Sequence, residues 1–253
     1  MNIFQSGYAQ HYDLFYRDKN YQNEADYVAD LIRRHRPDSK NILDLGCGSG
    51  RHDECFASMG FSAVGVDSSP EMIQLGSSRT QPGDDRLEFV LGDIRQLRLD
   101  RDFDAVVSLF HVMSYQTTHK DVSDTFATAR AHLPPGGLFV FDFWYGPAVL
   151  SDRPMVRCKE ICADELTVVR VAEPELLPNR NLVKIAYNIF LKEAAEDRYV
   201  RSNETHTMRY FFEPELQEIC HGHGFEVVSF CGWMADSAPD LSTWYATAVC
   251  RAN

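Results

Sequence analysis

The chain has 253 residues, 44% of them hydrophobic, which is enough to bury one large core. Its 37 acidic residues outnumber 25 Lys and Arg, giving a formal charge of -12 that argues against nucleic acid and anionic membrane surfaces as partners. No run of about 18 apolar residues and no basic-then-apolar leader occurs, so a soluble, cytoplasmic protein is expected.

The seven cysteines are an odd, scattered set, better suited to reduced core thiols than to a disulfide framework. Cys158 with Cys162, and Cys220 with His221 and His223, lack a second ligand pair at zinc spacing, so no metal is expected.

From about residue 41 to 143, short apolar runs alternate with helical patterns. NILDLG precedes a helix, FSAVGVD precedes a helix opened by SSPEM, and LEFVLGD, FDAVVSLF, a helix near 120 to 132 and GLFVFDFW follow. Continuously apolar strands spaced by helices predict a doubly wound, mostly parallel α/β sheet covered on both faces. After Pro147 the pattern becomes β-branched and aromatic alternation broken by ADE, LPNRN and SNE, which predicts an inserted antiparallel layer over 150–212. EPELQEICHGHG reads as a helix with Pro214 in its first turn, and FEVVSFCGW and TWYATAVCR complete a sheet of about seven strands. The expected organisation is one domain: 1–40 an N-terminal lid and helix, 41–149 the cofactor-binding core, 150–212 the cap, and 213–253 the last helix and two strands. The edges of an antiparallel insertion make a homodimer a reasonable expectation.

The sharpest motif is ILDLGCGSGRH, residues 42 to 52. Three glycines between a strand and a helix permit a tight turn and close backbone approach to a ligand at a helix N-terminus. The dinucleotide fingerprint G-x-G-x-x-G fails by one residue, because its last position falls on Arg51. The spacing is instead D-x-G-x-G-x-G, and Asp44 at the strand end would repel a pyrophosphate but can face a cationic amino-acid head. Asp67, ending the next strand, can accept hydrogen bonds from both hydroxyls of a ribose. Asp93 ends the third strand, a third acidic residue at a successive strand end.

DLGCGSG, VGVDSSPEMI, LGDI, FDAVVSLF and LPPGGLFVFD together resemble the ordered motifs of class I S-adenosylmethionine-dependent methyltransferases over about residues 40 to 145. The resemblance implies that Gly46, Gly48 and Gly50 pass under the methionine portion, Asp67 holds the ribose and Asp93 with Ile94 frames the adenine. Cys47, Ser68, Met72 and Leu109 complete the implied surroundings of S-adenosyl-L-methionine and its product S-adenosyl-L-homocysteine. YAQHYDLFY, the cap and the chain length are similar to the methyltransferases of nucleotide-linked amino sugars. That narrower resemblance implies that Tyr12, Tyr16 and Tyr21 fold over cofactor and acceptor, with Tyr16 facing the reacting group.

Methyl transfer is an in-line displacement in which the protein aligns the reactants and removes one proton from the attacking group. Ligands of doubly wound sheets sit beyond the carboxyl ends of the strands, so His111, Ser114, Tyr115, Gln116 and His119, following FDAVVSLF, are candidates for the pocket mouth. His111 is the expected base and Tyr115 the group that holds the acceptor, while His119 is expected to be a bystander. The resembling amino-sugar enzymes carry a histidine a few residues further along this loop, at a position that falls here on or beside Tyr115. Either His111 has taken over as base, or Tyr115 only positions the acceptor and the proton leaves through water. Asp142, Trp144 and Tyr145 are expected to line the acceptor pocket, and Arg153, Arg157, Arg170 and Arg209 are candidates for holding a diphosphate.

The expected function is therefore methyl transfer to a small polar metabolite, an amino or hydroxyl group of a nucleotide-linked or other sugar. N- or O-methylation of a non-sugar acceptor and a non-catalytic cofactor-binding module are the alternatives, and Arg51 disfavours a dehydrogenase.

Overall fold

The computed structural model describes residues 19–80, 85–163, 166–193, 195 and 198–253. Helix α1 (Tyr21–His35) starts where the Asn20 side chain accepts the N–H of Asn23, and it buries Val28, Leu31 and Ile32 along one stripe. Five parallel strands follow with helices between them: β1 (Asn41–Leu45), α2 (Arg51–Ser58), β2 (Ser62–Asp67), α3 (Pro70–Arg79), β3 (Leu87–Leu91), β4 (Ala105–Ser108), α4 (His119–Ala131) and β5 (Leu138–Tyr145). Sequence punctuation sets their starts. Ser69 caps α3 ahead of Pro70, and Thr118 with Asp121 forms a capping box at α4.

Alternation along the strands divides the core between the two faces of the sheet. Leu43, Val106, Phe139 and Phe141 pack on one side, and Ile42, Ala105, Val107 and Val140 on the other. The strand order is β3-β2-β1-β4-β5, and the chain reverses between β1 and β4, which opens a crevice at the strand ends. After α5 (Gly146–Ser151) come the cap strands β6 (Arg157–Ala163), β7 (Leu166–Leu177), β8 (Leu182–Glu193) and β9 (Val200–Phe211). Then α6 (Glu213–Gly222), β10 (Phe225–Gly232) and β11 (Tyr245–Ala252) complete the chain. β11 lies antiparallel to β5, and β10 to β11, which gives the expected seven-stranded main sheet.

The cap is an antiparallel meander, as expected, but it is continuous with the main sheet. β9 joins the tail of β5 in parallel, with Trp144 opposite Tyr210 and Tyr145 opposite Phe211. Two boundaries differ from the sequence reading. SNE lies inside β9 rather than in a turn, because Asn203 pairs with Asn188 across the sheet and accepts a side-chain hydrogen bond from Arg201. β4 ends at Ser108, so Leu109 and Phe110 already belong to the loop above the strand. No helix among the described residues is long and apolar enough to cross a membrane.

Candidate functional site

A cavity of about 910 Å³ opens between the carboxyl ends of the parallel strands and the cap. Its floor is the glycine loop. Gly46, Gly48 and Gly50 have φ of 92°, 55° and 75°, and the N–H groups of Gly46 and Cys47 donate to the Val66 carbonyl at 2.8 and 3.0 Å. Gly46 also meets the loop above it, since a Cβ there would stand 2.6 Å from Val112 Cγ1. Gly50 is a correction. It caps α2 and its missing Cβ makes room for the Phe89 ring, while Gly46, Cys47, Gly48 and Ser49 line the cavity.

Asp67, Ser68, Met72, Asp93, Ile94, Leu109 and Tyr21 line the cavity as expected. Asp67 accepts the N–H of Ser69 at 2.8 Å and of Gly48 at 3.1 Å, one bond to each oxygen, so each oxygen keeps a lone pair for a hydroxyl donor. Asp93 is engaged by Arg95, which also reaches Asp121 and holds the Asp93 carboxyl below its ordinary range. Asp44 lines the cavity floor, almost fully buried, and its Oδ1 has no hydrogen-bond partner. Burial, reinforced by Asp53, Asp67 and Asp142, pushes its carboxyl well above the ordinary range. An unpartnered carboxyl beside a glycine loop and a ribose-type aspartate fits the amino-acid head and nucleoside of S-adenosylmethionine. Tyr12 and Tyr16 lie outside the described residues.

The loop after β4 carries backbone strain. Phe110 and His111 both adopt positive φ, 62° and 65°, a conformation uncommon for bulky residues and concentrated at functional sites. His111 Nδ1 lies 2.5 Å from Asp142 Oδ2 without hydrogen-bond alignment, while its backbone N–H donates to the same carboxylate. The ring stacks on Tyr245, with centroids 4.3 Å apart and planes at 22°. His111, Tyr115, Gln116 and Trp144 line the cavity.

Five expectations for this end are corrected. Ser114 is buried and accepts the Trp144 N–H at 3.0 Å, so it braces the loop against β5. Asp142 is fully buried against His111 and is not part of the cavity wall. Tyr145 points away from the cavity toward Phe230, because successive side chains of β5 face opposite sides. Arg209 is buried against Glu215 and His119, so it is not free to hold a ligand, and His119 is accounted for by that contact. Arg153 is exposed and absent from the cavity wall, whereas Arg157 and Arg170 line it together with Lys159.

Several cavity residues were missed by sequence reasoning. Tyr187 and His206 come from the cap, Trp244 and Tyr245 from the start of β11, and Arg51 and His52 from the start of α2. For the cap the available signal was the alternation His206, Met208, Tyr210 in THTMRYF, which places all three on one face. His52 is tied to the N-terminal segment, bonded to Glu24 at 2.9 Å and packed edge-on against Tyr21.

Comparison with known proteins agrees with this geometry. A family model described as a methyltransferase domain matches residues 42–137. The dTDP-3-amino-3,4,6-trideoxy-alpha-D-glucopyranose N,N-dimethyltransferase of Streptomyces venezuelae is 31% identical over 228 residues, covering 89% of this chain and 92% of that protein. The corresponding dTDP-3-amino-3,6-dideoxy-alpha-D-glucopyranose enzyme of Streptomyces fradiae is 26% identical, covering 87% and 84%. Among solved structures, Streptomyces venezuelae DesVI matches with a TM-score of 0.81 and 26% identity over 99% of this chain and all of that one. CalS10, an amino pentose methyltransferase from Micromonospora echinaspora solved with S-adenosylmethionine bound, matches with a TM-score of 0.77 and 26% identity over 100% and 99%.

Proposed function

The chain belongs to the class I S-adenosylmethionine-dependent methyltransferases, and on that premise we propose that it methylates the amine of a nucleotide-linked amino sugar. The observation that carries this reading is the His111–Asp142 pair at the strained end of β4, facing the same cavity as the glycine loop and Asp67. When bound, S-adenosylmethionine supplies a methyl carbon on a positively charged sulfur, so the leaving group is already activated. The residues of this chain then bind, align and deprotonate.

Asp67 holds the ribose hydroxyls, Asp44 faces the cationic head, and Ile94 and Met72 border the base. An amine enters largely protonated near neutral pH and must free a lone pair before attack. His111, its ring fixed by Asp142 and Tyr245, takes that proton. Arg157, Lys159 and Arg170 line the cap side with positive charge in an otherwise acidic protein, which suits a diphosphate. Trp144 lines the acceptor end, and its Nε1–H is buried without a partner, a donor suited to a sugar oxygen. The seven free cysteines support a reducing, cytoplasmic compartment.

The test is incubation of the protein with S-adenosylmethionine and a panel of dTDP-linked amino sugars, their hydroxyl analogues and simple amines, read by mass spectrometry. A gain of one methylene mass per transfer on the amino sugars, and none on the hydroxyl analogues, is expected. Methylation confined to simple amines or hydroxyls would overturn the substrate reading.

A further inference from the structure

Asp142 braces the His111 side of the left-handed turn at Phe110 and His111, and a cation braces the Phe110 side. The ammonium of Lys19 stands 3.9 Å from the centre of the Phe110 ring and 5.2 Å from that of Tyr21. Lys19 lies just ahead of α1, where its carbonyl accepts the Tyr21 N–H at 3.1 Å, and only 12% of its side chain is exposed.

A lysine so covered needs its charge answered. Glu24, in the first turn of α1, accepts from the ammonium through both carboxylate oxygens, and its Oε2 also lies 2.9 Å from Nε2 of His52 at the start of α2. Burial acts to raise the Glu24 carboxyl, but the bonds from His52 and Lys19 outweigh it and hold the group below its ordinary range. Glu24 is therefore an anion near neutral pH and fixes the ammonium at one point, while Phe110 and Tyr21 offer it the negative faces of their rings. A cation shielded from water holds an aromatic face more firmly than an exposed one.

The turn needs that hold. Phe110 and His111 have φ of 62° and 65°, a conformation that bulky residues keep only where surrounding contacts impose it. The Phe110 ring lines the cavity and meets the His111 ring, with centroids 5.4 Å apart. A displaced Phe110 would carry the imidazole with it, and misplacing a reacting group by about 1 Å can cost about 100-fold in rate.

We propose that Lys19 is a positioning residue for methyl transfer: anchored by Glu24, its ammonium holds the Phe110 ring and with it the left-handed turn that aims His111 at the acceptor. This role rests on the reading of His111 as the base. Lys19 does not itself line the cavity, so it acts through Phe110 rather than on acceptor or cofactor. Because Glu24 also holds His52 of the cavity wall, one carboxylate ties the start of α1 both to the glycine-loop side of the cavity and to its reacting end.

The experiment compares Lys19→Met, Phe110→Leu and the double variant with the native protein, using whichever acceptor the native protein methylates. Lys19→Met keeps the length of the side chain and removes its charge. It should lower kcat at least about tenfold, while the acceptor KM and the S-adenosylhomocysteine dissociation constant stay within about threefold of native. In the Phe110→Leu background the same substitution should cost less than about twofold, because the ring it acts through is gone. The turn is also read without turnover: in ligand-free, histidine-labelled protein the His111 ring signal by NMR, assigned with His111→Gln, should shift in both single variants. Should Lys19→Met fail to fold, Lys19→Gln takes its place. Native kcat on loss of the lysine, an equal loss with and without the Phe110 ring, or an unmoved His111 signal would overturn the proposal. Native kcat in His111→Gln would instead remove the base reading, whereas the hold of Lys19 on the turn is judged by the ring signal and the dependence on Phe110, so the two fail separately.

Discussion

His111 and Asp142 are joined twice: ring Nδ1 meets the carboxylate at 2.5 Å, and the backbone N–H of the same histidine donates to both carboxylate oxygens at 3.1 Å. One buried side chain on β5 therefore sets both the orientation of the imidazole and the left-handed backbone that aims it into the cavity. Consecutive positive-φ residues such as Phe110 and His111 cost on the order of 1–3 kcal/mol each and persist only where surrounding contacts over-determine them. Asp142→Asn keeps the shape but removes the charge that steadies a protonated ring. Its kcat should fall by at least about 100-fold, with S-adenosylhomocysteine affinity changed by less than about threefold. Native turnover in this variant, measured by mass gain at saturating acceptor, would remove the pair from the chemistry.

Asp67 is committed on one side to the Gly48 and Ser69 N–H groups and open on the other. A carboxylate that accepts two hydroxyls loses both bonds on truncation, and the loop amides lose their acceptor as well. Asp67→Ala should weaken S-adenosylmethionine binding at least about tenfold, or about 1.4 kcal/mol, by calorimetry. An unchanged dissociation constant would show that the ribose is held elsewhere.

Asp44 makes cofactor binding a proton-linked event. Burial and its acidic neighbours hold the carboxyl well above its ordinary range in the free protein, so it keeps its proton at pH values where a solvated aspartate has none. A cationic head placed beside it favours the ionised form, so binding expels a proton and affinity rises as pH rises. Titrations in phosphate and in Tris, whose ionisation heats differ, should give different apparent enthalpies, with protons released to the buffer. Identical enthalpies in the two buffers would contradict the linkage.

How much of this was legible in the sequence follows from the range of the forces involved. Parallel strands, helix starts and the glycine loop are local: Ser69, Thr118 and the D-x-G-x-G-x-G spacing act within a few residues, so pattern alone located them. The faces of β5 required only strand parity, and Tyr145 was misplaced because it was grouped on one edge with Asp142 and Trp144, whose parity it does not share. SNE was read as a turn because cross-strand partners such as Asn188 are invisible in a linear reading. Asp142 as a brace for His111, and His206 and Glu204 behind Tyr115, depend on how the cap folds back, with Tyr115 and His206 91 residues apart in sequence. No spacing rule reaches that far.

Asp53 carries the last prediction. It sits in the first turn of α2, fully buried, and neither carboxyl oxygen has a hydrogen-bond partner. Burial pushes its pKa from 3.8 up to about 7. Between those values the folded protein holds a proton that the unfolded chain has released, so stability falls as pH rises through the window and stays reduced above it. Below the lower value both states are protonated and no difference remains. Asp53→Asn removes the titration without changing size. Relative to native, its Tm should be unchanged near pH 4 and higher by at least about 2 °C near pH 8, corresponding to roughly 1 kcal/mol. The ligand-free protein is the one to melt, because a bound cation nearby would shift Asp44 and, through it, Asp53. A variant less stable than native at about pH 8 would mean that the carboxylate is compensated in a way its surroundings do not suggest, and a difference constant from about pH 4 to 8 would mean that Asp53 does not titrate in the window.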